Sequence, residues 1–180
     1  NEMTIHQEID WDRTYEEALS YFKTLIRFNT ANPPGNEKPA AEYLAQILRK
    51  ENLEPEIIES APGRANLVCR LSGSKEKAPL LLNGHLDVVG VEEDKWSVPP
   101  FEAVEKDGFL YGRGTVDMKN MVTMCLMCVL LLKRSGAPLK RDVVFCAVAD
   151  EEAGGGYGSR FLVENHPDKV RAEYSISEMG

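Results

Sequence analysis

Asp142-Val-Val-Phe-Cys-Ala-Val-Ala149 is the stretch on which the fold turns. An unbroken apolar run of this length, bounded by acids, fits a strand buried on both faces. Pro79-Leu-Leu-Leu-Asn-Gly84 repeats the pattern more briefly. Doubly buried strands need helices on either side, and the chain supplies candidates. Thr14–Phe28 carries Ala18, Leu19, Phe22, Leu25 and Ile26 at helical intervals. Lys38–Glu51 turns Ala41, Leu44, Ala45, Ile47 and Leu48 to one side. Asp117–Arg134 is apolar nearly all round, which predicts a buried helix. Gly158–Glu164 reads as a fourth helix. Further strands are expected over Glu54–Glu59, Asn66–Leu71, Phe109–Tyr111 and Ala172–Ser177, with turns at Asn32-Pro-Pro-Gly-Asn36 and Ser72–Lys77. Strands alternating with helices predict an α/β fold: a mostly parallel sheet with helices on both faces.

Composition narrows the function. The chain has 180 residues, 43% of them apolar and 28% charged, which is globular and not disordered. One domain is the prior at this length. Its net charge of −8 excludes a face built for nucleic-acid backbone. The longest apolar run, Met121–Leu132, has 12 residues, short of the roughly 20 that span a membrane. The polar, acidic start at Asn1–Glu8 shows no signal-peptide pattern. The four cysteines (69, 125, 128 and 146) lie in apolar segments and read as unpaired, buried thiols. Together these predict a cytoplasmic protein.

Open α/β sheets bind ligands at the carboxyl ends of their strands. Leu80–Asn83 is followed by Gly84-His85-Leu86-Asp87, and Phe109–Tyr111 by Gly112-Arg-Gly-Thr-Val-Asp117. Val143–Ala149 is followed by Asp150-Glu151-Glu152, and Tyr174–Ser177 by Glu178. One imidazole and several carboxylates are thereby sent to one edge. Such a cluster repels itself unless protons or cations neutralise it. A His with carboxylates and no thiolate suits zinc or manganese-type divalent ions. Two such ions would share one bridging carboxylate, a place Asp117 suits because it opens a helix with a positive N-terminal dipole. Asp87, two residues after His85 in extended chain, can hold the free ring nitrogen of that imidazole. In Glu151-Glu152 one carboxylate can bind metal while its neighbour serves as general base. Each motif alone is weak: H-x-D arises by chance, and Glu-Glu pairs usually face solvent. Their shared position after successive strands carries the reading.

Gly84-His-Leu-Asp-Val-Val89, Trp96-Ser-Val-Pro-Pro-Phe101, Tyr111-Gly-Arg-Gly-Thr-Val-Asp-Met-Lys119, Ala149-Asp-Glu-Glu-Ala-Gly-Gly155 and Ser177-Glu178 resemble the M20 family of zinc-dependent peptidases and aminoacylases. The resemblance implies the phosphorylase/hydrolase-like catalytic domain of a zinc peptidase. It implies two zinc ions, with cobalt or manganese fitting the same donors. His85 and Glu178 would hold one ion, Glu152 the other, and Asp117 would bridge them. Glu151 would be general base and acid, and Asp87 would orient His85. A cis peptide at Asp117–Met118 is expected. The substrate would be a small peptide or N-acyl amino acid, and Glu at 178 leans toward the aminoacylase or carboxypeptidase-like branch. No nucleic-acid or membrane partner is implied, and a homodimer is the oligomer to test in the full-length protein.

The chain departs from the family pattern in two ways. Asn120 stands where the family usually has Gly. A further zinc-binding His, and an inserted dimerisation or lid domain, are missing from these 180 residues. Residues 1–180 therefore read as the N-terminal part of the catalytic domain. On its own this part is expected to hold the second zinc weakly and to be nearly inactive. His6 and His166 read as solvent-facing. Gly154–Gly158 either lets backbone approach the site or is a flexible turn. Cys125-x-x-Cys128 and the Met118, Met121, Met124 and Met127 series read as core. Lys133-Arg134 and Lys140-Arg141 read as surface charge. Two other classes compete with the hydrolase: a non-catalytic binding or regulatory protein that keeps the fold, and a Ser or Cys hydrolase. The second lacks any G-x-S-x-G elbow.

Overall fold

The computed structural model describes residues 9–178. In chain order the elements are α1 (Trp11–Arg27), α2 (Lys38–Lys50), β1 (Glu56–Ala61), β2 (Arg64–Leu71), β3 (Leu80–His85), β4 (Val104–Lys106), β5 (Phe109–Tyr111), α3 (Lys119–Ser135), β6 (Val143–Val148), α4 (Ser159–Asn165), α5 (Pro167–Val170) and β7 (Tyr174–Ile176). The central sheet runs β1-β2-β6-β3-β7. The α/β class is as expected. The sheet is mixed, because β3 pairs parallel with β6 and β7, whereas β1–β2 and β2–β6 are antiparallel. For β1–β2 the cause is local: Pro62-Gly63 is a two-residue turn, so the two strands form a hairpin and must run in opposite directions.

Helices cover both faces. On one face, Leu44 and Leu48 of α2 and Val122, Leu126 and Val129 of α3 pack with Leu25 against Leu67 and Phe145. On the other, Leu162 of α4 joins Val68, Val144, Cys146 and Val148. β6 is buried at every position, as its sequence requires. β3 is only partly buried, because its outer neighbour β7 is three residues long and exposed. Asp10 starts α1 by accepting from the Arg13 N–H at 3.0 Å. That N-cap lies four residues before Thr14, where the predicted helix began.

Three expectations need correction here. β5 pairs with β4 in a separate two-stranded ribbon and does not join the main sheet. α3 begins at Lys119, so Asp117 precedes the helix and does not open it. Nor is α3 buried all round: Met124 is 56% exposed and Cys128 is exposed, on the side that faces neither sheet nor α1. Cys69, Cys125 and Cys146 are buried and free. Arg134, read as surface charge, is held by Glu17 and Glu51 at 2.7 and 2.6 Å. Among the described residues no helix is long and apolar enough to cross a membrane.

Candidate metal centre

β3 and β6 are parallel, and His85 pairs with Val148. Their carboxyl ends therefore open at one edge, where β7 also points. His85 is the last residue of β3 and is buried to 1% exposure. Glu151 and Glu152 sit on a single 3-10 turn that follows β6. Glu178 lies two residues beyond β7. Asp117 arrives from the loop before α3. A Cβ at Gly84 would meet Val122 at 2.8 Å, so only glycine lets the first turns of α3 rest on β3 beside His85.

The imidazole is the hub. His85 Nδ1 donates to the Asp87 backbone oxygen at 2.8 Å and lies 3.4 Å from the Asp87 carboxylate. That bond aims Nε2 at the acids: Asp117 at 3.0 Å, Glu178 at 3.4 Å and Glu151 at 3.7 Å. Donor atoms of His85, Asp117 and Glu152 fall within 4.8 Å of one another, as do those of His85, Glu151 and Glu178. The imidazole is buried, while the Asp117 and Glu151 side chains are 60% and 50% exposed. The carboxylates therefore line an opening to solvent above a buried base.

Charge balance tests whether a cation fits. Burial alone would lower the His85 pKa, yet Asp87 and Glu178 hold the charged form, up to about 9. Without an ion, the imidazolium proton neutralises acids that a cation would otherwise neutralise. Burial raises the Glu152 pKa, and repulsion from Asp117 adds to it. Burial also raises Glu178; His85 offsets part of that, and Asp117 and Glu151 push further. Glu152 and Glu178, held above their ordinary range first by burial and then by neighbouring acids, mark a site short of positive charge. The donors are imidazole nitrogen and carboxylate oxygen, the set that takes zinc-type ions. The residues present fit such an ion.

A conserved-sequence model for this arrangement, Peptidase family M20/M25/M40, matches residues 81–179. The chain belongs to peptidase family M20/M25/M40. This M20 chain is 35% identical over 147 residues to N-formyl-4-amino-5-aminomethyl-2-methylpyrimidine deformylase of Halalkalibacterium halodurans, covering 79% of the chain and 34% of that enzyme. It is 32% identical over 164 residues to aminoacylase-1B of Rattus norvegicus, covering 89% of the chain and 40% of the relative. The chain thus spans little more than a third of the length of the curated relatives it matches. Human carnosine dipeptidase 1 shares the fold, with a TM-score of 0.77 at 22% identity over 94% of this chain and 39% of that one. The expected cis peptide is present at Asp117–Met118.

Every residue named from the M20 sequence motifs lies at this edge, but Asp87 does more than expected. Its carboxylate accepts the backbone N–H groups of Glu151 and Glu152 at 3.0 and 3.1 Å. Burial would raise its pKa, but His85, then Asn32 and the Glu151 N–H, hold it below the usual range. The sequence reading missed the layer behind it. Asn32 donates to Asp87 and to Asp150, both at 2.9 Å. Arg64 donates to Asp150 at 2.8 Å and grips Glu37 at 2.8 and 3.0 Å. The signal available was weak: Arg64 and Asn66 are polar residues at the start of a strand that is buried at both positions. The Gly154–Gly158 run approaches β6 and not the acids: a Cβ at Gly158 would collide with the Ala149 backbone. His166 is half-buried, its ring centred 5.7 Å from that of Phe161, which corrects its reading as solvent-facing. His6 lies outside the described residues.

Proposed function

We propose that this chain is the N-terminal part of the catalytic domain of a metal-dependent hydrolase. Its bond is an amide, in a small peptide or an N-acyl amino acid. The observation that carries the reading is the convergence of His85 Nε2 on Asp117, Glu178 and Glu151 within 3.0–3.7 Å. Family membership and relatives named for aminoacylase and deformylase activities support it.

In this reading the site would take two zinc ions, with His85 and Glu178 holding one, Glu152 the other, and Asp117 available to both. When bound, such ions polarise a carbonyl and make water acidic near neutral pH. The protein's own groups do the rest. Glu151 is half exposed, with its carboxylate 3.7 Å from His85 Nε2 at the mouth of the site, where a base could reach a bound water. It takes a proton from the attacking water at its carboxylate and passes that proton to the departing amine nitrogen. Asp87 keeps the His85 Nδ1–H engaged, leaving Nε2 as the donor. It also anchors the turn on which Glu151 and Glu152 stand. His85, Asp117 and Glu178 would offer three protein donors to one ion, and Glu152 and Asp117 two to the other.

Zinc titration of this chain, with hydrolysis of N-acetyl amino acids and dipeptides assayed in parallel on the full-length protein, tests the reading. One tighter and one weaker site on the chain are expected, with hydrolysis by the full-length protein. A chain that takes no zinc overturns the reading.

A further inference from the structure

We propose that Asn32 and Asp150 are positioning residues, which set the turn bearing Glu151 and Glu152 against the His85 strand before any metal binds. The importance of that turn to chemistry rests on the metal reading above; its placement does not.

The segment before Asn32 is built into the end of β3. Thr30 Oγ1 donates to the Leu86 oxygen at 2.7 Å, and the Val88 N–H to the Thr30 oxygen at 3.1 Å. The Asn32 N–H donates back to Val88 at 2.8 Å. Ala31 is thereby bridged in parallel to Val88, which holds the Asn32 side chain beside Asp87. Its carboxamide nitrogen has two hydrogens, and the two nearest acceptors are carboxylate oxygens of Asp87 and Asp150, each at 2.9 Å. Both acids are ionised acceptors that cannot donate to one another, so the nitrogen side must face them. One buried group thus ties the β3 end to the β6 end.

Asp150 carries the tie onward. It is buried, sits in a left-handed conformation at φ 66°, and starts the 3-10 turn. Its second oxygen accepts the Tyr157 N–H at 3.1 Å, closing the loop after the two glutamates. Arg64 neutralises Asp150 from behind and is itself neutralised by Glu37. Buried polar chains of this kind hold a geometry only while every member has its partner. Asp87, fixed by Asn32, then accepts the Glu151 and Glu152 N–H groups.

Amide hydrogen exchange on the metal-free protein tests this directly, comparing wild type with Asn32→Leu and with the volume-keeping Asp150→Asn. The Glu151 and Glu152 amides are expected to be protected in wild type and to exchange at least about tenfold faster in either variant, while β6 amides keep their protection. In the same variants zinc affinity should fall about 10- to 100-fold, the usual scale for groups that orient ligands. Unchanged exchange at residues 151 and 152, or acceleration spread equally through β6, overturns the proposal, as does zinc held as tightly by a folded variant. If wild type binds no zinc but the exchange pattern appears as expected, the metal reading falls and the positioning role stands.

Discussion

Lys119 donates its buried ammonium to the backbone oxygen of Phe28 at 2.8 Å, and to that of Leu25 at 3.0 Å. The side chain is fully buried in a helix that otherwise turns apolar residues inward. It is tolerated there because the end of α1 presents two acceptors: the Phe28 oxygen lies just past the helix, and the Leu25 oxygen, which also takes the Phe28 N–H at 3.2 Å, has a second lone pair. One side chain thus joins α1 to the first turn of α3, two residues after Asp117. Lys119→Met keeps the volume of the stem and removes the donors. Leu25 keeps the Phe28 N–H, but the Phe28 oxygen loses this donor, which costs on the order of 1–3 kcal/mol. The urea midpoint of the metal-free protein is expected to drop accordingly; a midpoint equal to wild type would mean the carbonyls had found other donors.

Asp142 offers a pH dependence remote from the metal centre, at the opposite end of β6. Burial would raise its pKa, but the Gly73 N–H at 2.9 Å and Arg70 at 3.0 Å hold it below the ordinary carboxylate value. The unfolded chain therefore binds the proton more readily than the folded one as pH falls. Stability from this group is complete above the unfolded pKa of about 3.9 and is lost as pH drops through the lower folded value. Urea unfolding between about pH 5 and pH 2 should show a shallower acid limb in Asp142→Asn than in wild type. Parallel limbs would remove Asp142 as a contributor.

The two neighbouring glutamates should separate cleanly in the full-length protein. Glu151→Ala is expected to keep bound zinc and lose about 10²–10⁴-fold in kcat, the range for a general base. Glu152→Ala is expected to lose metal first, with activity restored in part by excess zinc. Atomic absorption after gel filtration, paired with turnover on the same samples, reads both. Retained turnover in Glu151→Ala would take the base role away from that residue.

What could be read from the chain follows from how far each signal reaches. β6 and α2 were legible because burial on fixed faces writes itself into consecutive or periodic apolar residues. The metal-side acids were legible because each follows a strand or loop that ends at the same edge. The antiparallel β2–β6 pairing was not, since the choice of partner strand leaves no local mark. β4, Val104–Lys106, is too short and polar to announce itself, and α5, Pro167–Val170, is one turn. Asn32 looked like part of a Pro-Gly turn, and Arg64 and Glu37 fell outside every predicted helix and strand. Their burial depends on one another across 27 to 118 positions, which no window of sequence contains.

Metal binding at His85 should also be visible as stability. An ion that binds only the folded state adds RT ln(1 + [L]/Kd), about 2.7 kcal/mol when free zinc is about 100-fold above its dissociation constant. Thermal unfolding with zinc and with a chelator is therefore expected to differ in wild type. His85→Ala removes the one nitrogen that all the acids face, and the cavity it leaves lowers stability with or without metal. The absolute melting temperature is thus the wrong measure, and the zinc-minus-chelator difference is the right one. That difference should shrink toward zero in His85→Ala while remaining in Asp142→Asn, whose carboxyl lies at the far end of the sheet. If the increment survives loss of the imidazole, zinc is binding elsewhere on this acidic chain, and the cluster at the sheet edge is not what holds it.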